Sequence, residues 1–293
     1  MRWRADLALL LAALLWGTGF VVQRLATTQL STLYFNGGRF LLAALIILPA
    51  AIFWRQEDRR VPRAQFLGMI LAGGLMFAGA GLQQAGLVTT TVGNASFITG
   101  LYVVLVPLIL SLVWKKRVAW LSWLAVLMAV VGVMLLSLQG ALRLAPGDAL
   151  ELAGAVLWAL HIILVGRLAG QGANVLWFSV IQFATCGLLS LALALGLEPQ
   201  GVASLAAAWK VVVYSAVLPI AVGFSLQIVG QKHAPAVDAA IIMSTEAVFA
   251  TLFGYLFLNE LLTARQLFGC ALILVAMILA QMRPVAALQP EAA

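Results

Sequence analysis

Few side chains in this sequence can do chemistry, and Glu246 is the sharpest of them. It stands in AAIIMSTEAVFATLF at 239–253, a run with no other charge. A carboxylate in so apolar a setting faces a cavity or a partner. It can bind an ammonium group or carry a proton; alternatively it is a structural acid, hydrogen-bonded to Ser244, Thr245 or another helix. Trp16 and Trp158 also lie deep inside apolar runs. Such indoles either wall a pocket that stacks on rings and covers cations, or pack with the N–H tied to a backbone carbonyl. Tyr102 carries the same two readings. His161 either titrates or is a satisfied core group. Gly19 follows Trp16, and His161 follows Trp158, by nearly one helical turn, so each shares a face with its tryptophan. Trp16, Gly19, Tyr102, Trp158, His161 and Glu246 form the candidate binding set.

Other chemistry is missing. There is no phosphate-binding glycine loop, no G-x-S-x-G, no H-E-x-x-H and no cysteine cluster. His161 and His233 are the only histidines, and Cys186 and Cys270 both fall in apolar runs without ligand spacing, so no metal and no cofactor is expected. A catalytic constellation is lacking, and the expectation is that the chain is not an enzyme.

These residues must be positioned by membrane helices. Of 293 residues 64% are hydrophobic and 9% charged, against roughly 45–50% and 25% in soluble domains. The bilayer is the solvent. Runs of the roughly 20 apolar residues a spanning helix needs fall near 5–23, 33–54, 64–86, 91–114, 118–138, 148–168, 175–197, 209–230, 236–258 and 264–282. The first run, behind Arg2 and Arg4, lacks a signal-peptide cleavage pattern and reads as a retained helix. The +7 net charge does not point to nucleic acid, because the basic residues sit in short loops. With the N-terminus inside, twelve Lys and Arg fall on the cytoplasmic side (among them Arg55, Arg59, Arg60, Lys115 and Arg283), and four (Arg24, Arg143, Lys210, Arg265) fall outside. That bias puts both termini in the cytoplasm.

Depth then sorts the residues. Ten or eleven positions into a span is about 15 Å deep, near the midplane of a roughly 30 Å core, and Trp16, Trp158, Tyr102 and Glu246 all land there. Arg39 lies about 9 Å below the outer surface; it can attract a carboxylate, but snorkelling to headgroups or pairing with a backbone carbonyl is the preferred reading. Gln83 and Gln227 lie near opposite faces and read as symmetric gates or as packing polar groups. Asn94 and Asp238 open their spans and read first as helix N-caps. Asp6, Asp148 and Glu151 are acids at helix starts, accounted for by the macrodipole. Gly68, Gly73, Gly74, Gly79, Gly81 and Gly86 make the third span glycine-rich, suited to close packing or bending.

The halves repeat. LLWGTGF at 14–20 lies over VLWALHI at 156–162, QRLA at 23–26 over GRLA at 166–169, LYFNGGRF at 33–40 over LWFSVIQF at 176–183, and LQQAG at 82–86 over LQIVG at 226–230. The register pairs Trp16 with Trp158, Arg39 with Gln182, Asn94 with Asp238 and Tyr102 with Glu246. Five spans per copy force the second to insert upside down. The expected fold class is therefore all-α integral membrane, ten transmembrane helices as two inverted five-helix repeats over 1–140 and 141–293. Many secondary transporters have this architecture, with a midplane site between the repeats.

The stretches LLWGTGFVVQR at 14–24, RFLLAAL at 39–45, NASFITGLYVVLVPL at 94–108 and STEAVFATLFGYLFLNELLTARQLFGCALIL at 244–274 resemble the EamA family of the drug/metabolite transporter superfamily. Glu260 falls at that family's usual exit from the ninth helix, while Asn259 and Lys115-Lys116 depart from its pattern. The resemblance implies export of amino acids and related metabolites across a bacterial inner (plasma) membrane, with a small-molecule substrate and no obligate protein partner. Aromatic walls and one acid suit a zwitterion with an apolar or aromatic side chain. The alternative is an exporter of cationic drugs or amines; from a different class, an intramembrane enzyme or a sensor. Transport either exchanges protons or runs down the substrate gradient.

Overall fold

The computed structural model describes residues 2–53, 61–90, 92–137, 146–258 and 263–281, and among these there are helices joined by turns and short loops and no strand. In lipid a backbone must satisfy its own hydrogen bonds, so apolar runs of this length become helices. The first three are α1 (Arg2–Ala26), α2 (Thr32–Phe53) and α3 (Arg63–Thr89), followed by α4 (Val92–Gly100), α5 (Tyr102–Leu112) and α6 (Trp120–Ser137). Then come α7 (Pro146–Gly170), α8 (Val175–Leu197), the short α9 (Ala203–Ala207) and α10 (Trp209–Ser215). A π-helical segment, Ala216–Phe224, leads into α11 (Ser225–Gln231), and α12 (Ala236–Met243), α13 (Glu246–Leu258) and α14 (Ala264–Gln281) complete the set. Arg55, Arg59, Arg60, Arg143, Asn259, Glu260 and Arg283, used in the sequence reading, lie outside the described residues, as does the side chain of Asn94.

Among the described residues eight segments are long and apolar enough to cross a membrane, three of them built from consecutive helices: Ala95–Leu112, Trp209–Gln231 and Ala236–Phe253. Two apolar helices are shorter, Trp120–Leu135 and Ala264–Leu279, and α6 packs against α14. Of the ten spans expected, eight are present at spanning length among the described residues.

The interruptions have local causes. Between α12 and α13 the hydroxyls of Ser244 and Thr245 bond back to the carbonyls of Ile241 and Ile242, at 2.7 and 2.6 Å. Such back-bonds bend helices. The α4–α5 break falls at Leu101, with Gly100 before it and Pro107, which has no N–H to donate, further along α5. The two breaks sit 144 residues apart, the offset of the sequence repeat, and each immediately precedes a candidate residue, Tyr102 or Glu246. In the π segment Pro219 again removes a donor, and the chain takes a wider turn there.

Close packing sets the remaining geometry. A Cβ on Gly73 would lie 2.7 Å from the Gln182 carbonyl oxygen, and one on Gly17 would lie 2.9 Å from the Ala250 nitrogen, so both glycines let backbones nearly touch. Gly74 and Gly81 have nothing within 4 Å of that position, so the glycine face of α3 packs only in part. At the end of α8 the Glu198 carboxylate accepts from the Leu33 and Tyr34 amides at 2.9 and 3.0 Å, capping α2 and binding the two helices together.

Candidate functional site

The middle of the molecule holds a cavity lined from α1, α2, α3, α4, α5, α7, the π segment, α11 and α13. All six residues of the candidate binding set line it: Trp16, Gly19, Tyr102, Trp158, His161 and Glu246. The two helix breaks turn Tyr102 and Glu246 toward each other, and the phenol donates to Glu246 Oε1 at 3.0 Å. Ser244 and Thr245 spend their hydroxyls on the helix bend, so of the partners open to Glu246 it is another helix, through Tyr102, that supplies the hydrogen bond. Glu246 is 4% exposed and forms no ion pair among the described residues.

The walls are aromatic around Phe224, at the end of the π segment. Trp16 lies 4.8 Å from its ring centroid, Trp158 stacks on it at 5.8 Å and 21°, and His161 meets it edge-on at 6.0 Å. Each tryptophan is both a wall and a tied group. Trp16 donates to the Pro219 carbonyl at 2.9 Å, whereas Trp158 donates to the Gln83 side chain at 3.0 Å. His161 Nε2 meets Gln182 Oε1 at 3.1 Å, and its Nδ1 has no partner.

Several expectations about the second set are corrected. Gln83 and Gln227, set near opposite faces by the sequence, both line this one cavity. Arg39 neither snorkels nor bonds a carbonyl. It is 5% exposed, lines the cavity, and lays its guanidinium over Phe35 and Phe40 at 4.5 and 5.1 Å from their centroids. Asp238 is not an N-cap; Pro235 holds that position, and Asp238 pairs with Arg2 at 3.1 Å, away from the cavity. Asp148 and Glu151 do more than face a helix dipole. Asp148 accepts from the Thr90 hydroxyl. Glu151, fully buried, accepts from Thr99 at 3.1 Å and leaves its other oxygen unpartnered.

Sequence reasoning missed Thr99, Phe40 and Phe224 among the lining residues. Thr99 stands one turn before Tyr102, a spacing that could have flagged it. Phe224 carries no such signal, because a phenylalanine among Val, Gly and Ile looks like any lipid-facing residue.

A bundle of long apolar helices around a chamber of aromatic and apolar side chains with a few polar groups is the build of a multi-pass membrane protein. The comparisons place it more closely. The profile of the EamA-like transporter family matches residues 3–138 and again 145–282, and the chain belongs to that family. It is 34% identical over 286 residues to an uncharacterized transporter of Archaeoglobus fulgidus, an alignment that covers 96% of this chain and 87% of that protein. A crystal structure sharing 19% identity superposes with a TM-score of 0.78 over 96% of this chain and 98% of the other, a likeness of fold. The chain is a membrane transporter.

Proposed function

We propose that this transporter exports amino acids, including apolar and aromatic ones, and related metabolites across the cytoplasmic membrane by alternating access. The Tyr102–Glu246 pair carries the reading: a carboxylate fixed at mid-depth, beside stacked rings and facing a cavity. Such an acid is retained against a heavy desolvation cost when it has a ligand to meet. A substrate ammonium would lie on Glu246, with the side chain against Trp16, Trp158 and Phe224.

The proposed frame is ten spans in two inverted repeats, both termini cytoplasmic. Three observations support it: the doubled family match, the helix breaks at repeat-equivalent positions, and the contact between the repeat-equivalent Tyr102 and Glu246. Equivalent residues that touch lie beside the axis relating the halves. In that frame Arg2–Asp238 ties α1 to α12 at the cytoplasmic end, and Thr90–Asp148 ties the start of α7 beside α4 at the outer end. Opening to either side requires one of these ties to part while the other holds.

A second reading, export of cationic drugs or amines, draws on the same rings and the same acid. Uptake of radiolabelled phenylalanine, threonine and methionine into proteoliposomes, against empty vesicles and with or without a pH gradient, separates the two. Saturable entry is expected, and its response to the gradient reports proton coupling. No entry beyond empty vesicles with folded protein would move the assignment to amines.

A further inference from the structure

Arg39 has no function in the reading above, yet it is the least satisfied group in the chamber. Its side chain lines the cavity and is 95% buried, its Nε has no hydrogen-bond partner, and no carboxylate lies within ion-pair reach among the described residues. The Phe35 and Phe40 rings lie against the guanidinium, and rings satisfy none of its five N–H donors. The other buried charges differ: Glu246 has Tyr102, Glu151 has Thr99, and Asp238 has Arg2. A buried guanidinium left without an acceptor is costly unless an acceptor arrives.

We propose that Arg39 is the carboxylate subsite of the chamber, so that the transported molecule carries an anionic head bound by the guanidinium fork. This rests on the chamber being the substrate site and deepens that reading. A planar guanidinium matches a carboxylate in a two-point, charge-assisted contact that an ammonium cannot reproduce. The two phenylalanine rings lie against the guanidinium, and the side chain lines the cavity. With Glu246 on the same wall system, the chamber presents one cation and one anion to one solute. That is the complement of a zwitterion, and an unpaired cation disfavours a solute that carries positive charge alone.

The test uses three probes of one shape: L-phenylalanine, 3-phenylpropionate, which lacks the amine, and 2-phenylethylamine, which lacks the carboxylate. Binding to purified full-length protein is measured calorimetrically for the wild type, Arg39→Gln and Arg39→Lys, each first shown monodisperse with a cooperative melt. Arg39→Gln should weaken phenylalanine and phenylpropionate by roughly tenfold or more while leaving the amine unchanged or tighter, and Arg39→Lys should recover part of the loss. Phenylpropionate binding that depends on Arg39, with phenylalanine not bound, upholds the subsite and removes the amino-acid reading. Phenylalanine binding that ignores both Arg39 variants removes the subsite and leaves the amino-acid reading standing. Wild-type protein that binds only the amine, or none of the three, overturns the subsite.

Discussion

Glu246 and Glu151 are both buried acids on spanning helices, and both accept one hydrogen bond from a neighbouring helix. Their surroundings separate them. Glu246 lines the chamber beside Trp16 and Trp158, while Glu151 lies outside the lining, behind Thr99 and against Gly86 of α3. Placement relative to empty space, rather than burial or partner, decides which acid is available to a ligand. Glu151 ties α7 to α4 and packs on α3; Glu246 has a tyrosine on one oxygen and the cavity before it.

The largest effect should come from Glu246→Gln, which keeps the shape and removes the charge. A hydrogen bond to a charged group is worth about 1.5–3 kcal/mol, so amino-acid uptake should fall roughly ten- to hundredfold, with membrane insertion unchanged by fractionation. Full retained activity would erase the distinction between the acids. Gly86→Ala attacks the other side of the comparison. The new Cβ would meet Glu151 Oε1 and the Gly147 carbonyl at 2.9 Å, and overpacking of this kind costs about 1–3 kcal/mol. A lower melting temperature is expected, with an unchanged apparent affinity in the protein that remains folded.

A smaller effect sharpens the wall. Trp158→Phe and Gln83→Leu each remove one end of the 3.0 Å hydrogen bond. Each should slow uptake about fivefold, as the loss of about 1 kcal/mol does. The double variant should be no worse than the poorer single one, because both remove one interaction; full additivity would show that the two side chains act separately. Least affected should be Glu151→Gln. The amide oxygen can still accept from Thr99, so uptake should stay within about threefold of wild type.

Much of this layout is legible from residue types and depth. Trp16, Trp158, Tyr102 and Glu246 come together on paper because a straight helix converts position into depth, and because their register repeats. Depth says nothing of azimuth, however, and there the sequence misleads. It sends Arg39 to the lipid headgroups because an arginine some 9 Å below the surface can reach them; that its face of α2 turns to the cavity instead depends on how α2 packs against α8. Counting along straight spans sets Gln83 and Gln227 apart, but the wide turn at Pro219 shifts every residue of α11, Gln227 included. Glu151 looks like a dipole residue because its partner, Thr99, lies 52 positions earlier in the chain. Phe224 becomes the hub of the aromatic wall only through five rings drawn from α1, α2, α7 and α8, an arrangement that no local pattern encodes.

The most direct test places the two acids side by side. Initial rates of labelled phenylalanine entry would be measured in proteoliposomes holding equal amounts of folded wild type, Glu246→Gln or Glu151→Gln. The account predicts saturable entry for the wild type, nearly the same for Glu151→Gln, and a loss of roughly tenfold or more for Glu246→Gln. Equal rates for the two variants, or a greater loss at Glu151, would contradict the claim that the chamber acid handles the substrate.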